Sequence, residues 1–315
     1  MGMNMIDAPA RAAGRARRVR ARRWRIPGWA LGVLLTAPGL LVIGVLIVGP
    51  LAYGAYLSLQ NYSLTNGLPM EWAGVDNYTT VLTDPQFYAA LRNTTIYTVA
   101  ATVTELILGF GLALLLYRLS RAQQVFRTVF SLPLMMAPLV MGLLWRFLYN
   151  PELGAINQVL RLLGWSHGGV PWLTDPTWAL ISVIIVDIWA TTPFVIIVLL
   201  SGLVVLPQEV MEAAAIDGCG AVQRFLRITL PLMRPFILIA LLVRAMDAFR
   251  VYDTVYVITQ GGPANRTDVL SYYAYRTMFS NGDVGAGTAS GIIILAIILA
   301  FGLVLIRLLR REALS

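Results

Sequence analysis

EAAAIDGCGAVQRFLRITLP, residues 212–231, is a charged, glycine-broken segment between two of the most apolar stretches of the chain. The preceding residues 206–209, LPQE, predict the start of a short helix, because proline is tolerated in a first turn and acidic side chains are favoured at the positive end of the helix dipole. Gly218 and Gly220 predict a break, after which residues 221–228 can form a second short helix. The segment is therefore predicted to be a compact knob, too short and too polar to cross a membrane and suited to docking into a groove of another protein.

The rest of the chain is much more apolar than a soluble domain. Of its 315 residues, 58% are hydrophobic and only 13% are charged, whereas charged residues make up about a quarter of an ordinary soluble domain. A helix needs roughly 20 residues to cross the hydrocarbon core of a bilayer. Six windows meet that requirement, at residues 30–59, 93–119, 126–148, 178–205, 236–259 and 286–306. The sequence therefore predicts an all-α, polytopic membrane protein with six transmembrane helices in residues 30–315, preceded by an arginine-rich tail at 1–29.

Arginine carries all of the side-chain positive charge, since the 24 basic residues include no lysine. Eight of these arginines precede the first window, and 17 of the 24 fall on one side of the membrane if the six windows alternate in direction. Basic residues concentrate on the cytoplasmic side, so we expect both termini in the cytoplasm and the connections 60–92, 149–177 and 260–285 outside. An arginine cluster directly before an apolar window is typical of an orientation signal. We therefore expect the tail to set the orientation of the chain, with membrane lipid as a partner of the chain and no nucleic acid.

The scarcity of chemically active side chains excludes several classes of protein. Without lysine, the chain has no phosphate-binding loop ending in Gly-Lys-Ser/Thr, so ATP hydrolysis by the chain itself is not expected. The single cysteine, Cys219, and the single histidine, His167, exclude an internal disulfide and Cys- or His-rich metal sites. We expect no catalytic residue, no metal site and no cofactor bound by this chain.

The charged segment at 212–231 resembles the EAA loop of ABC importer permeases. The matching positions are Glu212-Ala213-Ala214, Asp217-Gly218, Phe225, Ile228, Leu230-Pro231 and, just beyond the segment, Pro235. Further segments are similar to the carbohydrate-uptake branch of this family, in the subunit type of the larger maltose-transporter permease. These segments are WAGVDNY at 72–78, GAIN at 154–157, WATTPF at 189–194 and YVITQGGP at 256–263. The resemblance covers almost everything after the arginine-rich tail.

The resemblance implies a coupling role for the loop at 207–231. In the family this loop seats in a cleft of the ATPase subunit, and its glutamate pairs with a basic residue there. That role falls to Glu212, and the ATPase-coupling set is Glu212, Ala213, Ala214, Asp217 and Gly218. The implied partners are a second homologous permease subunit, a cytosolic ABC ATPase dimer that uses ATP and Mg²⁺, and an extracytoplasmic solute-binding protein. The implied location is the cytoplasmic (inner) membrane of a bacterium.

Four charged residues at spacings of three occur within the fifth window. This i,i+3 spacing predicts that Arg244 pairs with Asp247 and that Arg250 pairs with Asp253. Charges inside a membrane span are functional candidates by default, so this face either holds the bundle together or lines a translocation path. Alignment with the maltose relative gives the substrate-path set Thr191, Phe194, Arg244, Asp247, Ala248 and Val251. The relative's site is neutral and amide-rich, so an Arg and an Asp here depart from it.

Three other functions are also compatible with the sequence. One is an ABC permease for a polyol or for glycerol phosphate. Another is a proton-coupled secondary transporter, in which the intramembrane carboxylates Asp187 and Glu105 would act as relays; this function leaves the EAA loop unexplained. The third is a membrane anchor that transports nothing.

Overall fold

The computed structural model describes residues 27–67, 69–119, 128–164 and 169–313. Most of the arginine-rich tail at 1–29, together with His167, lies outside the described residues. The chain divides into two compact units, one that ends at Leu51 and one that begins at Ala52. The first unit contains α1, Gly28–Ile43, followed by a π-helical turn, Gly44–Val48, and by the start of α2, Gly49–Leu57.

The second unit consists almost entirely of helices in the part of the chain that is described. A two-residue hairpin pairs β1, Gln60–Asn61, with β2, Glu71–Trp72. The first half then contains α3 Asp76–Thr83, α4 Pro85–Arg118, a helical turn at 128–131, a 3-10 turn Pro133–Met135, α5 Pro138–Leu148, α6 Ala155–Leu162 and α7 Pro176–Val205. The second half contains α8 Gln208–Ile216, α9 Ala221–Arg224, a π turn Phe225–Thr229, α10 Leu230–Leu232, α11 Arg234–Phe249, α12 Asp253–Ile258, α13 Leu270–Tyr275, a π turn Arg276–Ser280 and α14 Val284–Ala313.

The two long central helices begin in the same way. Pro85 and Pro176 occupy the first helical positions of α4 and α7, where the missing proline N–H costs nothing. Asp84 Oδ1 accepts a hydrogen bond from the backbone N of Gln86 at 2.8 Å, and Asp175 caps α7 in the same manner. These side-chain caps satisfy free backbone donors and fix where both helices start. Helix α4 therefore begins eight residues before the predicted window at 93–119.

Close helix packing forms the core of the second unit. Helices α4 and α7 pack along their length, and a Cβ added at Gly109 of α4 would lie 2.6 Å from Cγ1 of Val195. Gly202 of α7 meets the ring of Phe236 in α11 in the same way. Small residues at such contacts let membrane helices approach closely, and dispersion contacts then stabilise the bundle. The result is a closely packed arrangement of the three helices α4, α7 and α11.

Two asparagines fix the connections at 60–92 and 149–177. The side-chain amide of Asn77 donates to the carbonyls of Ser58 and Gln60 at 2.9 and 2.8 Å. Asn157 Oδ1 accepts from Trp172 Nε1 at 2.9 Å and from the backbone N of Val170. Asn77 lies in the WAGVDNY segment and Asn157 in the GAIN segment, two of the segments that carry the family resemblance. Their side chains stabilise the loops by satisfying backbone polar groups.

The helices long and apolar enough to cross a membrane number four among the described residues: Ala30–Leu57, Pro85–Arg118, Pro176–Val205 and Val284–Val304. Two bent pairs also qualify, Thr128–Met135 with Pro138–Leu148, bent by 101°, and Ala221–Leu232 with Arg234–Phe249, bent by 65°. Counting each bent pair as one span gives six, the predicted number, but the second pair begins at Ala221, within the predicted loop at 207–231, and ends ten residues before the predicted fifth window does.

The predicted third and fifth windows are nevertheless not continuous helices. The window 126–148, whose first two residues lie outside the described part, is broken between Met135 and Pro138, because a proline cannot continue the hydrogen-bond ladder of the preceding turn. The window 236–259 is interrupted at residues 250–252, where α11 ends and α12 has not yet begun. Apolar composition alone does not reveal such breaks.

Candidate functional site

The loop at 207–231 folds as two short helices with a sharp turn between them. Gly218 has φ +75°, a left-handed conformation that glycine adopts without strain. The backbone N of Asp217 donates to the carbonyl of Ala213, and that of Cys219 donates to the carbonyl of Ala214, each at 3.0 Å. These bonds close the end of α8 in the geometry of a glycine C-cap. A Cβ at Gly218 would meet nothing within 4 Å, so the backbone conformation, and not crowding, requires glycine here.

One side of this loop is exposed. The predicted coupling residues Glu212, Ala213, Asp217 and Gly218 are exposed, whereas Ala214 is buried. Three large apolar side chains are also exposed on the loop and its continuation, Ile216, Val222 and Leu226. Apolar side chains exposed among charged ones are typical of a surface that another protein covers.

The other side of the loop packs against the membrane helices. The ring of Phe225 lies 5.4 Å, centroid to centroid, from that of Phe110 in α4. Met233, between α10 and α11, is completely buried. The loop is therefore joined to α4 by packing and to α11 by the chain itself.

A buried guanidinium group ties three membrane helices together. Arg244 of α11 is only 2% exposed. Its Nε lies 2.6 Å from Oε2 of Glu105 in α4, and its Nη2 lies 2.9 Å from Oε1 of the same residue. Its Nη2 also lies 3.0 Å from Oδ2 of Asp187 in α7, and its Nη1 lies 2.8 Å from Oδ2 of Asp247. Each guanidinium nitrogen thus donates to a carboxylate, which is what a buried charge requires.

Thr191 completes the inner part of this cluster. Its hydroxyl lies 2.7 Å from Oε1 of Glu105 and 2.6 Å from the carbonyl of Asp187. The single hydroxyl proton serves one of these acceptors at a time. Among the described residues, no group of three or more His, Cys, Asp or Glu is arranged to hold a metal ion. The carboxylates surround a guanidinium group instead.

The cluster becomes progressively more exposed along α11. The Glu105 and Arg244 side chains are 0% and 3% exposed, whereas the Asp247 side chain is 47% and the Arg250 side chain 70% exposed. Asp247 uses one oxygen for each arginine: Oδ2 accepts from Arg244, and Oδ1 accepts from Nη2 of Arg250 at 2.9 Å. A continuous chain of ion pairs therefore leads from the helix core to an open surface.

The predicted pair of Arg244 and Asp247 is confirmed, but the predicted pair of Arg250 and Asp253 is wrong. Arg250 pairs with Asp247. The reason is that α11 ends at Phe249, and Asp253 belongs to the next helix, so the two residues do not lie one turn apart on a common helix.

The substrate-path residues predicted from the resemblance separate into two groups. Thr191, Arg244 and Asp247 meet in the charge cluster. Phe194, Ala248 and Val251 pack instead into apolar clusters, and Ala248 is 2% exposed. Alignment alone could not separate the two groups, because it carries no information on burial.

Two aromatic groups lie near these elements. The ring of Trp189, only two residues from Asp187 and Thr191, packs at 5.4 Å against Trp145 and lines an apolar cavity of about 490 Å³. Residues two apart on a helix face nearly opposite directions, so Trp189 does not join the charge cluster. A second group consists of Tyr252, Tyr256, Tyr272 and Tyr275, with neighbouring ring centroids 5.2 to 6.3 Å apart. It begins two residues after Arg250.

A further buried ion pair lies in the connection at 260–285. Arg276 Nη2 is 2.6 Å from Oδ2 of Asp268, a short contact that is not directed as a hydrogen bond, and Asp268 is only 2% exposed. Burial raises the pKa of Asp268 to about 6, although Arg276 lowers it. Burial also raises the pKa of Tyr273, whose hydroxyl donates to Oδ2 of Asp84 at 2.6 Å. Sequence inspection missed this site, since nothing local links these residues.

Comparison with known proteins confirms the resemblance to carbohydrate-uptake permeases. A family model described as "Binding-protein-dependent transport system inner membrane component" matches residues 105–313. The sulfoquinovosyl glycerol transport system permease protein SmoG of Agrobacterium fabrum is 34% identical over 282 residues, covering 90% of this chain and 91% of the relative. The trehalose/maltose transport system permease protein MalF of Thermococcus litoralis is 36% identical and covers 75% of this chain and 79% of its own length.

A third relative and a solved structure agree with this result. The trehalose transport system permease protein SugA of Mycobacterium tuberculosis is 31% identical, covering 88% of both chains. The crystal structure of a bacterial ABC transporter involved in the import of the acidic polysaccharide alginate contains a chain that superposes with a TM-score of 0.76 at 24% identity. It covers 90% of this chain and 96% of that one, and it supports the all-helical permease fold.

Proposed function

The chain belongs to the family of binding-protein-dependent transport system inner membrane components, and from this premise we propose that it is the permease subunit of an ATP-driven sugar importer. Its spans would move the sugar across the cytoplasmic membrane of a bacterium by alternating access, with both termini in the cytoplasm. The observation that carries the proposal is the continuity between the exposed loop at 207–231 and α11, which bears Arg244 and Asp247.

The proposed coupling passes from the loop to the helices as a rigid-body motion. Glu212 would pair with a basic residue of the ATPase, and the small residues Ala213, Ala214 and Gly218 would allow close approach; Asp217 completes the contact. Phe225 rests on Phe110, so a displacement of the loop would displace α4 with α11. Tightly packed elements switch between discrete arrangements and do not deform gradually. The loop, α4 and α11 would therefore move as one unit.

The proposed assembly contains four further chains. They are a second homologous permease subunit, two copies of a cytosolic ABC ATPase that bind ATP and Mg²⁺, and an extracytoplasmic solute-binding protein. In this proposal the chain itself has no catalytic residue, no metal site and no cofactor, and membrane lipid surrounds its spans.

A sugar is supported as the transported solute by the relatives and by the exposed end of the cluster. The names of SmoG, MalF and SugA all concern transport of sugars or sugar derivatives. Asp247 and Arg250 together offer acceptors and donors to hydroxyl groups, and Tyr252 adds an aromatic ring and a further hydroxyl close by. A polyol or glycerol phosphate is a second candidate, because either would also present hydroxyl groups.

Reconstitution into vesicles would test the proposed function. The chain, its second permease and the ATPase dimer are co-purified, and uptake of a sugar delivered by the binding protein is measured with ATP or with an imposed proton gradient. We expect uptake with ATP alone. Uptake driven by the gradient without ATP would indicate a secondary transporter, and failure of the chain to co-purify with the ATPase would favour a membrane anchor. Binding assays on the solute-binding protein would separate sugars from polyols and glycerol phosphate.

A further inference from the structure

We propose that a groove between α4 and α7 binds an anionic phospholipid, with the phosphate on two arginines and one acyl chain between the helices. Two neighbouring cavities form the groove, one polar and one mainly apolar. Both are lined by Arg92, Asn93 and Arg266. The site is separate from the Arg244 cluster, and it does not depend on which solute the chain moves.

The two arginines have no partner of their own in the described part of the chain. Arg92 lies seven residues after the start of α4, Arg266 lies between α12 and α13, and both are exposed. Neither side chain forms a hydrogen bond or an ion pair with a described residue. Arg276, by contrast, donates to Asn265 and pairs with Asp268. Arg92 and Arg266 are therefore available to an added anion, and guanidinium groups can bind phosphate through two parallel hydrogen bonds.

Long-range hydrogen bonds hold the segment around Arg266 against α4. The side-chain amide of Asn93 donates to the carbonyl of Asp268 at 3.0 Å, a contact between residues 175 positions apart. The backbone N of Leu270 donates to Oγ1 of Thr94 at 2.9 Å. Asn93, Thr94 and Asp268 are all buried. Buried contacts therefore fix the two arginines on either side of the same groove.

The polar cavity, of about 300 Å³, has an excess of positive charge. Asp268 is the one acidic residue among the described residues that line it. Both carboxylate oxygens of Asp268 are buried, and one of them pairs with Arg276 at 2.6 Å. The acid is thus balanced from within the protein and is not presented to the cavity. Arg92 and Arg266 then make the cavity attractive to an anion.

The mainly apolar cavity, of about 510 Å³, continues from the two arginines along the helices. Its α4 wall contains Ile96 and Ala100, which follow Arg92 at spacings of four and therefore share one helix face. Its α7 wall contains Leu180, Ile181 and Ile184. Helices α4 and α7 are both long and apolar enough to cross a membrane. A groove between them would therefore run along the acyl chains of a bilayer, with the cations at one end.

A lipid complements both cavities, whereas other occupants complement only one. Arg92 directly precedes the apolar window at 93–119, which is where lipid headgroups meet hydrocarbon. Basic pockets between membrane helices suit acidic headgroups. A free phosphate ester would leave the apolar cavity uncovered. A soluble protein could reach the arginines but could not follow the groove into the hydrocarbon.

Native mass spectrometry of the full chain, purified in detergent with the subunits that accompany it, would test the proposal. The delipidated protein receives equal amounts of phosphatidylglycerol and phosphatidylcholine with the same acyl chains. We expect about tenfold greater retention of phosphatidylglycerol, equivalent to about 1.4 kcal/mol, because its headgroup lacks the compensating choline cation. Equal retention would overturn the proposal. Displacement of the lipid by an equal concentration of glycerol 3-phosphate would also overturn it, since the site would then bind the phosphate group alone.

Matched substitutions assign the preference to the groove. The double variant Arg92→Gln with Arg266→Gln should retain the two lipids equally. Arg161→Gln is the control, because Arg161 is also exposed but lines neither cavity, and its tenfold preference should persist. Equal losses in the control and the double variant would overturn the assignment.

Two further outcomes complete the test. Loss of an accompanying subunit from the double variant, with unchanged lipid retention, would assign the arginines to a subunit interface and overturn the lipid site. The wild-type comparison of the two lipids decides the proposal even where a variant does not fold.

Discussion

The loop at 207–231 and the Arg244 cluster both place charges in an apolar chain, but they satisfy those charges in opposite ways. Glu212 and Asp217 are exposed and form no ion pair within the described part of the chain. Arg244 and Glu105 are buried and paired with each other at 2.6 Å. An exposed charge without an internal partner is available to another protein, whereas a buried network holds its own helices together. The difference separates charges that could meet a partner protein, as proposed for the loop, from charges that hold the helices together.

Breaking the buried network should have the largest effect on stability. Arg244→Leu leaves three carboxyl groups near one another without their shared cation, and we expect a loss of about 3–5 kcal/mol in the free energy of unfolding. Arg250→Leu is the control, because its exposed pair should contribute at most about 1 kcal/mol. Thermal unfolding of both variants in nanodiscs measures the difference. Equal stabilities would mean that the cluster does not hold α4, α7 and α11 together.

The buried carboxyl group of Asp268, in the connection at 260–285, should make stability depend on pH. The pKa of Asp268 is raised to about 6 in the folded chain, whereas an unfolded Asp has a pKa of about 3.9. The folded state therefore binds the proton more tightly, so its stabilising effect is present below pH 4 and is lost as the pH rises to 6. The expected loss is at most about 3 kcal/mol, since one unit of pKa corresponds to about 1.4 kcal/mol.

Unfolding of wild type and Asp268→Asn across pH 4 to 7 would measure this contribution. The variant should have a flatter profile in that interval. An identical decline in both proteins would show that another group titrates. Asp268 differs from the buried carboxylates of the Arg244 cluster, because it is paired with Arg276 but poorly hydrogen-bonded.

Substitution of Gly218 should destabilise the turn of the exposed loop through backbone strain, and not through lost packing. Serine at position 218 would have to adopt φ +75°, at a cost of about 1–2 kcal/mol. Serine at position 220 fits the backbone there, with φ −62° and ψ 162° at the start of α9, and suits a helix N-cap. Amide hydrogen exchange in α8 should therefore accelerate about tenfold in Gly218→Ser. A similar acceleration in Gly220→Ser would contradict the backbone explanation.

The sequence predicted these two regions to different extents for a physical reason. The loop is local: the glycine turn, the flanking helices and the motif residues lie within about 25 consecutive positions, so spacing and composition describe it. The long helices could be predicted equally well, because a run of about 20 apolar residues is typical of a transmembrane helix and of few other structures. Local patterns thus predicted the overall fold and the geometry of the loop at 207–231.

The cluster was predicted only in part, since its contacts are long-range. Arg244 lies 139 residues from Glu105 and 57 from Asp187. Charged residues are rare within the spans, so the sequence marked all three as functional candidates. It did not indicate that they contact one another. The predicted Arg250 and Asp253 pair failed for a different reason, because α11 ends at Phe249 and Asp253 begins the next helix, a break that apolar composition does not reveal.

The most direct test of the coupling claim compares two exposed glutamates of α8. Glu212→Ala and Glu209→Ala remove the same charge one turn apart, and ATP-dependent sugar uptake and ATP hydrolysis are measured in vesicles containing the complete importer. We predict that Glu212→Ala inserts normally but loses uptake by about a hundredfold or more, equivalent to about 2.7 kcal/mol, whereas Glu209→Ala retains it. Full uptake and stimulated ATP hydrolysis by Glu212→Ala would contradict the role of this loop.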